Sequence, residues 1–177
     1  MRTFFIFALM VSIVPFRLAA QQSLKSDKTK SSITYFMKHA LHAFSGTSKD
    51  VSCIIQLNSQ GDIEKVAATA KVKSFDSQNS NRDSHMMETT DALTYPSVSF
   101  YSTSMTKSAN GYAVKGVLNF HGVEKPISME AKETRTGSQR TVTGNFIFLL
   151  EDYKVERPTL FMVKTENEVK IEFLFAF

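Results

Sequence analysis

The side chains able to do chemistry stand in three short blocks: His39 and His42 in "MKHALHAF", Asp76, Arg82, Asp83 and His85 in "FDSQNSNRDSHMM", and His121 in "NFHGVEKP". Imidazole is the commonest metal ligand. Yet His39 and His42, three apart at a strand end, are expected on opposite faces, and the chain has neither HExxH nor a cysteine pair. Ser77, Asp83 and His85 supply the residue types of a hydrolytic triad, but no nucleophile elbow surrounds Ser77. Cys53 is the only cysteine, so it forms no intrachain disulfide. In "VSCIIQL" it shares its alternation phase with Val51, Ile55 and Leu57, which predicts a buried thiol without an activating neighbour. The expectation is therefore no enzyme, no cofactor and no bound metal. Instead, the four histidines, Asp76, Arg82 and Asp83 are expected to form a hydrogen-bonded polar collar able to grip a ligand head group. Arg82 should be held there by a carboxylate, because a guanidinium beside an apolar mouth needs a charge partner.

The elements that must position this collar begin after a leader. Arg2, the apolar run "FFIFALMVSIV" and the small residues "LAA" read residues 1–20 as a cleaved secretory signal. Residues 21–177 then make one domain, expected to be periplasmic or secreted. The formal net charge of +4 includes Arg2 and Arg17 of the leader. The remaining charges are interspersed, which argues against a nucleic-acid face.

Period-two alternation recurs along this domain. Ile33, Tyr35 and Met37 share a face, as do Val66, Ala68, Ala70 and Val72. Val98 and Phe100 open another strand, followed by Tyr112 to Phe120, Ile127 to Ala131, Val142 to Leu150 and Val169 to Phe177. With "VSCIIQL" these make eight strands, separated by "NSQGD", "SANG", "HGVEKP" and "RTGSQ". Short connections favour antiparallel neighbours, so the predicted fold is all-β: an eight-stranded antiparallel, lipocalin-like barrel with one short helix inserted between strands. Such a barrel either fills with side chains or holds one slender ligand. Inward Ala68, Ala70, Ala131, Gly116 and Gly144 favour a cavity, and a packed interior stays open. A small outer-membrane barrel is the other alternative. Against it stand the lack of Trp, the absence of two aromatic girdles and the helical insertion. In that insertion Ser80 and Asp83 have capping-box spacing. Met86, Met87, Thr90 and Leu93 fall on one helical face, and Tyr95-Pro96 ends the helix. The helix is expected to cover the barrel mouth.

The stretches "MKHALHAFSGTSKDV", "VKSFDSQNSNRDSHMMETTDALTYPSVSFYSTSM" and "YAVKGVLNFHGVEKPISMEA" resemble, in order and spacing, the signature blocks of the YceI-like family. The resemblance runs from about Ser32 to Ala131 and more loosely to Phe177. It implies an exported, lipocalin-like barrel whose apolar interior holds a polyisoprenoid or a fatty-acyl amphiphile. The ligand-contacting set expected from pattern and resemblance together is Tyr35, Met37, His39, His42, Phe44, Ala68, Ala70, Asp76, Arg82, Asp83, His85, Met86, Met87, Phe100, Phe120, His121, Phe146 and Phe148. A long-chain lipid is the expected partner, with transient membrane contact and a monomeric or homodimeric state. The segment "NFIFLLEDYKVERPTLFMVKTENEVKIEFLFAF" departs from better-known members, lacking their longer loop before the final strands, and is expected to narrow the far end of the cavity.

Overall fold

Alternating segments become strands of one curled antiparallel sheet in a computed structural model that describes residues 22–109, 111–160 and 162–177. The predicted leader lies outside the described residues. The strands are β1 (Gln22–Lys25), β2 (Ser32–His39), β3 (His42–Ser48), β4 (Val51–Leu57), β5 (Ile63–Lys71), β6 (Ser97–Ser108), β7 (Gly111–Phe120), β8 (Val123–Thr136), β9 (Gln139–Leu149), β10 (Thr159–Leu160), β11 (Val163–Lys164) and β12 (Glu168–Ala176). Helix α1 spans Ser80–Thr89. Around the sheet the order is β1-β4-β5-β6-β7-β8-β9-β12-β2-β3, while β10 and β11 form a separate small hairpin.

The main sheet thus has ten strands rather than the expected eight. The additions are β1, short and largely exposed, and β3, whose "HAFSGTS" carries one large apolar residue, Phe44. A two-residue turn, Ala40-Leu41, joins β2 to β3 without Gly, Asn or Asp, so nothing in its composition marks a hairpin. His39 pairs directly with His42 across that turn. The two histidines therefore lie on one face, which corrects the expectation of opposite faces.

Closure is the less regular part. β3 and β4 follow each other in the chain but do not pair, so β1 and β3 are the sheet's edges. Two cross-links span the seam. Thr47 of β3 exchanges backbone hydrogen bonds with Asp76, at 2.9 and 3.0 Å. Near β1, Asp27 N donates to Ala176 O (2.7 Å), while Ser31 Oγ, just before β2, accepts from Ala176 N (3.1 Å) and prolongs the β2–β12 ladder beside it. Each bond satisfies an edge group that would otherwise face solvent or a second chain.

The apolar phase of the strands faces inward. Tyr112, Val114, Leu118 and Phe120 of β7 are all buried, while the opposite phase carries exposed Lys115, Glu130, Lys132, Lys170 and Glu172. An outward face this charged is the reverse of a membrane-spanning barrel, whose outer band is apolar. Inside, one buried cluster gathers Val51, Cys53, Ile55, Tyr112 and Phe175. The second gathers Tyr35, Leu118, Phe120, Leu150 and Tyr153.

Several inward glycines lie under aromatic rings. Gly46 pairs directly with Tyr35 and Gly144 with Phe173, and the Phe100 ring lies over Gly116. A ring facing a glycine lies along the wall instead of crossing the interior. At Gly116 an added Cβ would also meet the backbone carbonyl of Tyr101, which cannot rotate away. Gly116→Ala is expected to cost about 1–3 kcal/mol of stability, read as a lowered urea midpoint with an unchanged slope. At Gly46 the nearest atoms to an added Cβ belong to the movable Tyr35 ring, and Gly46→Ala should cost less. Burial pushes the Cys53 thiol up to about 12, so it stays protonated. The native protein should resist alkylation at pH 8 and react fully once unfolded, as titration with a thiol reagent would reveal.

Candidate functional site

Between the two clusters the barrel encloses a cavity of about 240 Å³, far more than one water requires. Its closed end is formed by Ile63, Tyr112, Val142 and Phe175, all buried. Behind this wall sits a charged network that the sequence reading missed. Glu133 Oε1 receives Arg135 Nε at 2.6 Å and Arg140 Nε at 3.0 Å. Both arginines also donate to Gly61 O, at 3.0 and 2.7 Å. Tyr112 Oη donates to Glu133 Oε2 (3.1 Å) and accepts from Ile63 N (3.1 Å). The network ties the β4–β5 turn to the ends of β8 and β9. Its sequence signal is Arg140, a charged residue on the inward phase of Val142 and Gly144.

Many of the expected residues line the cavity. From the strands these are Tyr35, Met37, Phe44, Ala68 and Ala70, with Phe100, Phe120, Phe146 and Phe148. From α1 they are Arg82, His85 and Met86. His39, His42, Asp76, Asp83, Met87 and His121 are not part of the lining, and most of them hold the wall or its cover in place. Leu93, expected on the buried face of the helix, is 93% exposed, because α1 ends at Thr89 and the following turns carry it outward.

The start of α1 differs in detail from the expected capping box. Asn79 is the cap, its side chain accepting from Arg82 N at 3.1 Å. The Asp83 carboxylate reaches back to Ser77 N (3.1 Å), not to Ser80. Asp76 Oδ1 accepts from Gln78 N at 2.7 Å, an Asx turn that lets Gln78 adopt φ 59°. Asp76 and Asp83 therefore shape the loop. Among the described residues no carboxylate holds Arg82, contrary to expectation. Its guanidinium lies over the Phe44 ring, 4.8 Å from the centroid, and Nη1 donates to Ser77 O at 3.5 Å. Cation–π contact and a carbonyl replace the ion pair. Beside it, burial raises the Tyr35 phenol pKa, the Asp83 charge adds to that, and Arg82 and a hydrogen bond with Ser77 oppose it. Tyr35 is thus a neutral hydroxyl facing a cation at the cavity lip.

The histidines do not form one collar. His85 is an exposed helix residue 3.4 Å from Glu88. His39 is buried. Its Nδ1 accepts from Leu41 N (3.3 Å), so Nε2 carries the proton and donates to Val163 O (3.1 Å). His121 holds φ 51° beside Gly122 at 70°, the signs of a two-residue type I′ hairpin turn. Its Nδ1 meets Tyr153 O at 2.9 Å, and its ring packs edge-on to Tyr95 at 4.7 Å. His39 and His121 are thus pins that fasten Val163, Tyr153 and the segment after α1 onto the barrel rim. Those C-terminal residues were expected to narrow the far end. Leu150, Val155 and Pro158 instead line the cavity at the end where Met86 packs.

A family model of the YceI-like domain matches residues 24–177. A UPF0312 protein of Yersinia enterocolitica is 35% identical over 77 residues, 42% of this chain and 40% of its own length. Protein YceI of Salmonella agona is 26% identical over 132 residues, covering 72% of this chain and 69% of the relative. The chain thus spans well under two-thirds of the length of the Yersinia relative. Among solved structures, Burkholderia cenocepacia BcnA superposes with a TM-score of 0.78 at 21% identity, over 86% of this chain and 99% of that one. A polyisoprenoid binding domain from Saccharophagus degradans, implicated in plant cell wall breakdown, gives 0.68 at 16% identity, over 86% and 95%. At these identities the structural likeness is one of fold. The family match, by contrast, runs over almost every described residue, and the chain belongs to the YceI-like domain family.

Proposed function

We propose that this protein is an exported carrier that holds the hydrocarbon tail of a polyisoprenoid, or of another long-chain amphiphile, in its barrel. One observation carries the reading: an apolar cavity that no described side chain fills, with Arg82 as the only Lys, Arg, Asp or Glu on its lining among the described residues. Lining atoms that face a void forfeit dispersion contacts, and a hydrocarbon tail restores them. The name of the Saccharophagus domain, which shares the fold, supports this class of ligand.

Tail burial supplies the driving force, about 0.8 kcal/mol for each CH₂ removed from water. Association and ordering costs take back a large part, so affinity rests on how many tail carbons the cavity covers. The head group would lie at the α1 end, where Arg82 donates to an anionic or carbonyl oxygen and the Tyr35 hydroxyl offers a second donor. Binding and release, without bond-making, is the whole of the proposed chemistry. Export rests on the leader pattern of residues 1–20, and fractionation of the native host checks it.

Protein purified from its native host and examined by native mass spectrometry is expected to carry one lipid per chain, identifiable after extraction. Delipidated, folded protein that takes up no polyprenyl or acyl chain would end the carrier reading. Ala68→Phe, at the wall, should lower affinity for a tail about tenfold or more while moving the melting temperature little. If the interior has no room, the same change overpacks it and costs about 1–3 kcal/mol, so paired melts and titrations separate the cases. Arg82→Gln should speed release of an acidic amphiphile more than of its neutral ester, in stopped-flow displacement, with far-ultraviolet circular dichroism unchanged.

A further inference from the structure

Large apolar side chains that no described residue covers stand at the tips of two hairpins. Leu41, in the β2–β3 turn, is 68% exposed, Met162 between β10 and β11 is 97% exposed, and Val163 is 46% exposed. Met162 also holds φ 64°, a conformation uncommon for a non-glycine residue. The two tips are fastened together. His39 accepts from Leu41 N and donates to Val163 O, and Glu166 N donates to Lys38 O at 2.8 Å.

The joined tips continue into the cavity lip. The His39 and His42 rings are 5.9 Å apart, His42 and Phe44 are 6.0 Å apart, and Arg82 lies over Phe44. Met37, Phe44 and Pro158, from the same segments, line the cavity. The opposite end is closed by the arginine–glutamate network. Charge follows the same division. Within 38–42 and 159–164 the charged residues are Lys38 and Lys164, and neither stretch contains a carboxylate. The nearest exposed acids along the chain, Glu156 and Glu166, lie outside these stretches, Glu166 with its backbone against Lys38.

We propose that the paired tips dock the cavity mouth on an anionic lipid bilayer, with Leu41, Met162 and Val163 entering the interface and Lys38 and Lys164 meeting lipid phosphates. Isolated apolar prongs flanked by lysine suit a fluid interface, where burial of apolar area and attraction to anionic lipid act together. The docking stands on exposure, charge and the His39 link. Its use, passing a tail between bilayer and cavity without crossing water, rests on the carrier reading above.

The test is co-flotation of the full chain with vesicles of phosphatidylglycerol and phosphatidylcholine, compared with phosphatidylcholine alone. The protein is expected to float with the anionic vesicles and to be released by salt. Leu41→Ser with Met162→Ser should reduce partitioning about tenfold or more. Lys38→Glu with Lys164→Glu should abolish the preference for phosphatidylglycerol. Ile147→Ser, an exposed apolar position on the outer wall, should change neither. All three variants should keep the parent's melting temperature and its affinity for a tail presented in solution. No flotation by the parent, or undiminished flotation by the Leu41/Met162 double variant, overturns the docking. Docking with no tail uptake overturns the carrier reading and leaves the docking standing.

Discussion

Everything in this structure depends on a sheet that must curl until its first and last strands meet, although those strands do not pair. β3 and β4 are joined by a short connection yet make no ladder. The seam between the edge strands β1 and β3 is carried by Thr47 with Asp76 on one side and by Asp27 with Ala176 on the other. These few hydrogen bonds turn an open sheet into a wall that encloses apolar volume. The first of them also places the helical insertion. Asp76 is fixed by Thr47, its carboxylate turns the chain at Gln78, and Asn79 starts α1 three residues beyond. The position of Arg82 at the cavity lip is thus a consequence of how the seam closes.

Given closure, the interior depends on where the aromatic rings lie. Alternation sends a large apolar set inward, and a barrel of this size has room for side chains or for a ligand, not for both. Glycines opposite Tyr35 and Phe173, and Gly116 beneath the Phe100 ring, let those rings lie along the wall. The far end is sealed by Tyr112 and the Glu133–Arg135–Arg140 network. The near end is covered by segments held by His39 and His121. The ends therefore differ in chemistry: an ionic plug at one, and at the other a cover fastened by imidazole and backbone hydrogen bonds.

Strands with strict alternation were legible from residues alone. Tyr112 to Phe120 reads as one strand because every second residue is apolar, and β7 buries that phase. Elsewhere the pattern failed for identifiable reasons. β6 was visible only through Val98 and Phe100, because a bulge between Ser102 and Ser104 shifts the register and moves the inward phase to Met105. β3 was invisible because its turn lacks turn chemistry and its side chains are small. Ser80 matched a capping motif, but Asn79 one residue earlier has the extended backbone a cap requires. Local spacing allows several caps, and the loop from Asp76 selects among them.

The sequence by itself determined the period of the strands, the inward phase, the burial of Cys53 and the presence of one helix carrying Arg82 and Met86. These follow from nearest-neighbour geometry, since alternation and capping act within a few residues. Only the tertiary structure decided what the polar residues do. His39 and His42 pair across a hairpin, His39 reaches Val163 and His121 reaches Tyr153, contacts separated by long stretches of chain. Arg82 finds the face of Phe44 instead of a carboxylate. Arg140 joins Glu133 across the β8–β9 pair and Gly61 across the far end. A polar side chain takes whichever partner the folded chain brings within about 3 Å, and that choice depends on strand order, tilt and closure, which no short stretch of residues encodes.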